Sequence, residues 1–196
     1  MKNKDPFETC CWNFSVLTES RQVFAECFAY ADINSFRNTI RQVLLAAGSN
    51  KVYNKEEPAY MLGIFKAITS AMLAAHELQK QKQCSSLKIT PAQYMDKRLY
   101  ARPGVVCAEW EWLPHALTAK EYENPYTVFK HFFKYKDMAT WRKDINQILD
   151  YALSRDTADC VPDLLPLYLH LPKLMEAAHL IDVREVLHVG GVLKPG

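Results

Sequence analysis

Two pairs of residues recur along this chain with types and spacing that could do chemistry. His76 closes the segment MLAAH (residues 72–76) and His179 closes MEAAH (residues 175–179), while Arg37 and Arg142 stand 105 positions apart in matching surroundings. Two imidazoles brought face to face could hold a metal ion or exchange a proton near neutral pH. Two guanidiniums at one junction could clamp a carboxylate or phosphate through forked hydrogen bonds. If Arg37, Arg142, His76 and His179 converge within hydrogen-bonding reach of one ligand, they form a small-molecule or anion site that could be catalytic.

Each pair also has a plain structural use. A histidine late in a helix interacts with the helix dipole or packs on a flank. An arginine beside an apolar stripe lays its stem on the core and pairs its head with a carboxylate. Structural uses dominate, so no catalytic residue, metal or cofactor is expected. The linear signatures of catalysis are missing as well: the chain has no G-x-S-x-G, phosphate-binding loop, dinucleotide G-x-G-x-x-G or H-E-x-x-H.

The scaffold that must position these residues repeats itself. Residues 23–49 read VFAECFAYADINSFRNTIRQVLLAAGS and residues 128–154 read VFKHFFKYKDMATWRKDINQILDYALS. Without a gap, Val23, Phe24, Phe28, Tyr30, Asp32, Arg37, Ile40, Gln42, Leu44, Ala47 and Ser49 all recur 105 positions on. Upstream, Trp12 and Leu17-Thr18 match Trp112 and Leu117-Thr118, and downstream MLAAH matches MEAAH. The chain therefore divides into repeat one (12–83), a connector (84–111), repeat two (112–186) and a tail (187–196), all in a single domain over 1–196.

Apolar spacing predicts three helices per repeat. The first lies near 19–30 and 125–135. The second starts after Asp32 or Asp137, each with a side-chain acceptor suited to capping the new helix, and Gly48 suits its end in repeat one. The third runs from Pro58 to about Gln81, and from near Pro162 in repeat two, where Pro172 predicts a kink or break. In the connector, TPAQYMDKRL (90–99) reads as one short helix and PGVVCAEWEW (103–112) is the only candidate strand. The predicted fold is all-α: a tandem duplication of a three-helix unit packed as one helical domain with pseudo-two-fold symmetry.

Repeat two sets aromatic rings among lysines, as a nucleic-acid platform does. The rings have counterparts in repeat one, but Lys130, Lys134, Lys136 and Lys143 replace Ala25, Ala29, Ala31 and Asn38. The rings thus read as core and the lysines as surface. A basic face of Lys97, Arg98, Arg102, Lys130 and Lys134 would bind nucleic acid with steep salt dependence. The formal net charge of +2 argues against it. The longest apolar stretch (60–78) carries Lys66, His76 and Glu77, and no membrane association is expected. Six scattered cysteines without a C-x-x-C read as free, mostly buried thiols of a cytoplasmic protein.

The run LTAKEYENPYTVFKHFFKYKDMATWRKDINQILDYALS (117–154), patterned as N-P-Y, paired phenylalanines and then W-R, resembles a family of uncharacterised all-helical bacterial proteins. The resemblance implies a bacterial helical protein and brings no activity, cofactor or site residue. The chain is expected to be a non-enzymatic interaction or structural module, acting on a protein partner or a second copy of itself. Trp110, Trp112 and Tyr100 are the expected exposed patch.

Overall fold

The carboxylates of Asp32 and Asp137 start the two helices that carry the repeated arginines. Asp32 accepts from the Ser35 amide and Asp137 from the Thr140 amide, both at 2.7 Å. A carboxylate at this position satisfies an amide the helix itself cannot pair. At Asp137 that bond also holds the carboxyl below its usual pKa. A computed structural model of the chain describes residues 4–49, 51–81, 89–102, 109–154 and 163–186, with the backbone of 188–189 and 192–193. It is all-α, with α1 (Ser20–Tyr30), α2 (Ile33–Ala47), α3 (Pro58–Leu78), a short α4 (Ala119–Glu123), α5 (Tyr126–Tyr135), α6 (Met138–Leu153) and α7 (Leu164–Glu185). A two-residue antiparallel ladder pairs His188 with Leu193 and Val189 with Val192.

The connector turn departs from expectation, the candidate strand is described only at its end, and α7 is not broken. Residues 90–99 form two separate 3-10 turns, Pro91–Gln93 and Lys97–Leu99, because the Asp96 side chain takes the Arg98 amide and restarts the chain. Of the candidate strand, 103–108 lie outside the described residues and Glu109–Trp112 is a 3-10 turn. Pro172 does not break α7, which runs through it. The carbonyl that Pro172 leaves without a helical donor belongs to Tyr168, an exposed residue. Gly48 does end α2, yet with an ordinary negative φ of −84°. An added Cβ there would lie 2.9 Å from Leu164 Cδ1, the end of a flexible side chain, so a larger residue makes Leu164 shift.

The two halves share one core. Helix α1 packs on α3 and α7, α2 on α6 and α7, and α5 on α3 and α7. Phe24 of α1 meets Phe129 of α5 with ring centroids 5.9 Å apart, and the Tyr53 amide beyond α2 donates to the Ala152 carbonyl of α6 at 2.8 Å. The repeated rings mostly turn inward: Phe24, Phe28, Phe36, Phe129 and Trp141 are buried, whereas Tyr30 and Tyr135 reach the surface. Helix α3 is long and apolar enough to cross a bilayer by length and composition, and 56% of that stretch is buried against the rest of the protein.

Candidate functional site

The four repeated residues do not meet at one ligand; each has its own partners. Arg37 donates through Nε to Glu176 Oε1 (2.9 Å), with Nη2 2.7 Å from the same oxygen, through Nη2 to the Leu113 carbonyl (2.7 Å), and through Nη1 to Asn34 and the Glu111 carbonyl. Arg142 faces Glu8 instead, with Nη1 on Oε1 at 2.9 Å and Nη2 on Oε2 at 3.0 Å. His76 is half-buried against Phe133, with its Nδ1 3.9 Å from the Glu77 carboxylate. Burial and the neighbouring Lys80 hold its imidazole below the usual pKa. His179 is fully enclosed between the rings of Phe28 and Trp112, and its Nε2 donates to the Tyr100 carbonyl at 2.9 Å.

The basic face loses a member. Arg102 turns inward to the buried Asp182 carboxylate at 2.7 Å and to the Ala25 carbonyl at 2.9 Å. Arg98 stays exposed but is neutralised by its own neighbour Asp96 at 2.7 Å. Lys130 and Lys134 lie on the exposed side of α5, and Lys97 belongs to the 3-10 turn ahead of Tyr100. Of the lysines private to repeat two, Lys136 is structural: it pairs with Asp144 at 2.7 Å and lies over the Trp141 ring. The expected aromatic patch is also corrected. Tyr100 and Trp112 are buried, Trp112 with its ring against His179 and Tyr100 with its carbonyl bonded to it, which leaves Trp110 of the three outside, 70% exposed.

Glu176, His179 and Asp182 form a polar spine on α7, of which sequence reasoning singled out only His179. Spaced at i, i+3 and i+6, they share one helix face, and all three are buried. Each fastens a different part of the chain that precedes α4. Glu176 takes Arg37 and the amides of His115 and Ala116 at 2.9 Å, His179 takes the Tyr100 carbonyl, and Asp182 takes Arg102. Two residues on, Arg184 donates to the carbonyls of Leu99 (2.8 Å) and Tyr122 (2.6 Å). The readable signal was E-x-x-H-x-x-D-x-R inside an otherwise apolar helix. Buried charges survive only when paired and hydrogen-bonded, and this set is paired with arginines and backbone groups. Among the described residues, no three His, Cys, Asp or Glu side chains gather as a metal site would require.

Burial pushes the His179 pKa down to about 4, so the ring is neutral in the folded protein at pH 7. The unfolded chain takes up a proton as pH falls through the ordinary histidine range, whereas the native state does not until near pH 4. Stability from this residue is therefore complete above about pH 6.5 and is lost as pH falls toward 4, by about 3 kcal/mol in all. Urea unfolding between pH 7 and 4.5 should show this slope, and His179→Gln should flatten it. An equal slope in that variant would assign the effect to other groups.

Two surface grooves lie where helices of different halves meet. One, of about 450 Å³, runs between α2 and α7 and includes Arg37, Ile40, Arg41, Tyr168, Leu169 and Pro172. The other, of about 310 Å³, runs between α3 and α6 and includes Glu8, Leu62, Phe65, Lys66, Arg142 and Ile145. Beside the first, Leu165 (63% exposed), Tyr168 and Leu169 form an apolar stripe at i, i+3 and i+4 on α7, and Leu45 is exposed on α2. Exposed thiols occur at Cys10 and Cys11, contrary to the expected burial, and Cys27 is buried; Cys84, Cys107 and Cys160 lie outside the described residues. No family model, curated protein or solved structure matches the chain.

Proposed function

We propose that this chain is a duplicated helical scaffold of the cytoplasm that acts by holding a partner protein, without catalysis of its own. The observation that carries the reading is the apolar stripe Leu165, Tyr168 and Leu169, exposed beside the groove between α2 and α7. Scattered exposed apolar residues are ordinary, but a stripe at helical spacing next to a groove is the geometry that receives an amphipathic helix. The charge around it selects the partner. Arg41 is exposed in the groove and makes no ion pair among the described residues, so the favoured occupant carries apolar anchors flanked by Asp or Glu.

The duplication and its pseudo-two-fold axis belong to the same proposal. Its support is the correspondence of the two grooves at the offsets found in the sequence: Arg37 and Ile40 with Arg142 and Ile145, and Tyr168 and Leu169 with Phe65 and Lys66. A duplicated unit gives two equivalent surfaces, and divergence then gives each its own side chains.

A displayed peptide library panned over the wild type and over a Tyr168→Ser, Leu169→Ser double variant tests the docking. Acidic peptides with apolar residues at helical spacing should bind the wild type with roughly micromolar affinity and the variant about tenfold more weakly. Selected peptides that bind both proteins equally would remove the reading. A dimer in sedimentation velocity that the same variant dissolves would make a second copy of the chain the occupant.

A further inference from the structure

We propose that the groove between α3 and α6 is a binding site for a small carboxylate with an apolar body, and that the Glu8 side chain occupies the anion position until such a ligand displaces it. The inference concerns a different groove from the docking surface and does not rest on it.

The Arg142 guanidinium presents two parallel N–H groups to Glu8 Oε1 and Oε2, at 2.9 and 3.0 Å. This is the fork by which arginine recognises any carboxylate. The equivalent arginine, Arg37, is committed to Glu176, which is held in the α7 helix, 1% exposed, and secured by two further backbone amides. The Arg142 pair is open by contrast, with its side chains 40% and 39% exposed. An ion pair so exposed to water contributes little to stability, and its carboxylate can exchange.

Two further features separate Glu8 from a permanent partner. Its backbone lies in the left-handed region at φ 55°, which a non-glycine residue adopts at a cost. It also stands just ahead of a 3-10 turn, Thr9–Cys11, to which its side chain makes no capping bond. When Glu8 leaves, the groove holds two cations, Arg142 and the exposed Lys66, which makes no ion pair among the described residues. Leu62, Phe65, Ile145 and Leu149 line the groove with apolar surface. Asn146 adds an exposed amide, while the Thr69 hydroxyl is committed to the Phe65 carbonyl. A cationic head position beside apolar walls, in about 310 Å³, fits a short amphipathic monocarboxylate.

Sodium hexanoate titrated into isotope-labelled protein at constant ionic strength tests this by NMR, with hexanamide and inorganic phosphate as comparison ligands. Saturable shifts should appear in α3, α6 and the amides around Glu8 with hexanoate, and not with the other two. Glu8→Gln should tighten binding about two- to fivefold by weakening the resident competitor. Arg142→Gln should weaken it at least about tenfold through loss of the fork, and the exposed Lys66→Gln should weaken it by about two- to threefold. Absence of saturable binding to the Glu8→Gln protein would overturn the proposal, as would equal shifts with hexanamide. If Arg142→Gln fails to fold, the Glu8 and Lys66 variants still decide the matter, because both positions are solvent-exposed.

Discussion

Arg102→Met is expected to lower the unfolding free energy by about 3–5 kcal/mol, the usual consequence of removing one member of a buried ion pair. Asp182 is fully buried in α7, and the Arg102 guanidinium at 2.7 Å supplies the charge that balances it. The same side chain also donates to the Ala25 carbonyl of α1, so its loss removes hydrogen bonds at two acceptors. Methionine keeps most of the buried stem, which confines the change to charge and hydrogen bonding. Adding Asp182→Leu to the variant should recover more than half of the loss, since a buried pair replaced by apolar side chains is often near neutral. Urea denaturation of the two single variants and the double variant measures both quantities. A loss below about 1 kcal/mol for Arg102→Met would mean that the chain around residue 102 does not depend on this contact.

Trp141→Ala should cost about 3–5 kcal/mol, whereas Trp110→Ala should stay within about 0.5 kcal/mol. Trp141 is completely buried, lies stacked on Phe132 at 4.3 Å, and its indole N–H donates to the Phe132 carbonyl at 3.2 Å. Alanine there leaves a large cavity and removes the indole hydrogen bond to the Phe132 carbonyl, which keeps the Lys136 amide. Trp110 lies in the turn ahead of α4, 70% exposed. The contrast tests directly whether the aromatic and basic run of repeat two is core or binding platform, because a platform would tolerate loss of its rings. Thermal unfolding of the two variants side by side is sufficient.

The helices were legible in the sequence because their signals are local. An apolar stripe at helical spacing and an Asp followed three residues later by Ser or Thr fix where α2 and α6 begin, whatever packs against them. The connector was not legible. Its 3-10 turns are held by contacts with α7 from about eighty residues away, such as His179 to Tyr100 and Arg184 to Leu99. The site was legible only in part. Repetition singled out Arg37 and Arg142 as important but could not show that one faces a buried glutamate in α7 and the other a surface glutamate ahead of α1. Tyr100 and Trp112 misled for a related reason: an aromatic residue in a connector reads as exposed until a partner such as His179 is seen beneath it.

The placement of α7 also fixes when the protein can fold. Helices α1 and α2 both bury their apolar faces against it, although about 115 residues of chain separate the end of α2 at Ala47 from Leu164. During synthesis, at roughly 5–20 residues per second, the earlier helices leave the ribosome on the order of ten seconds before the helix that covers them. Throughout that interval Val23, Phe24, Phe36 and Ile40 lack part of their final enclosure. The nascent chain is thus most prone to association and most dependent on chaperones before its last helix appears, and a stop codon anywhere ahead of residue 164 leaves a product whose first half has no complete interior.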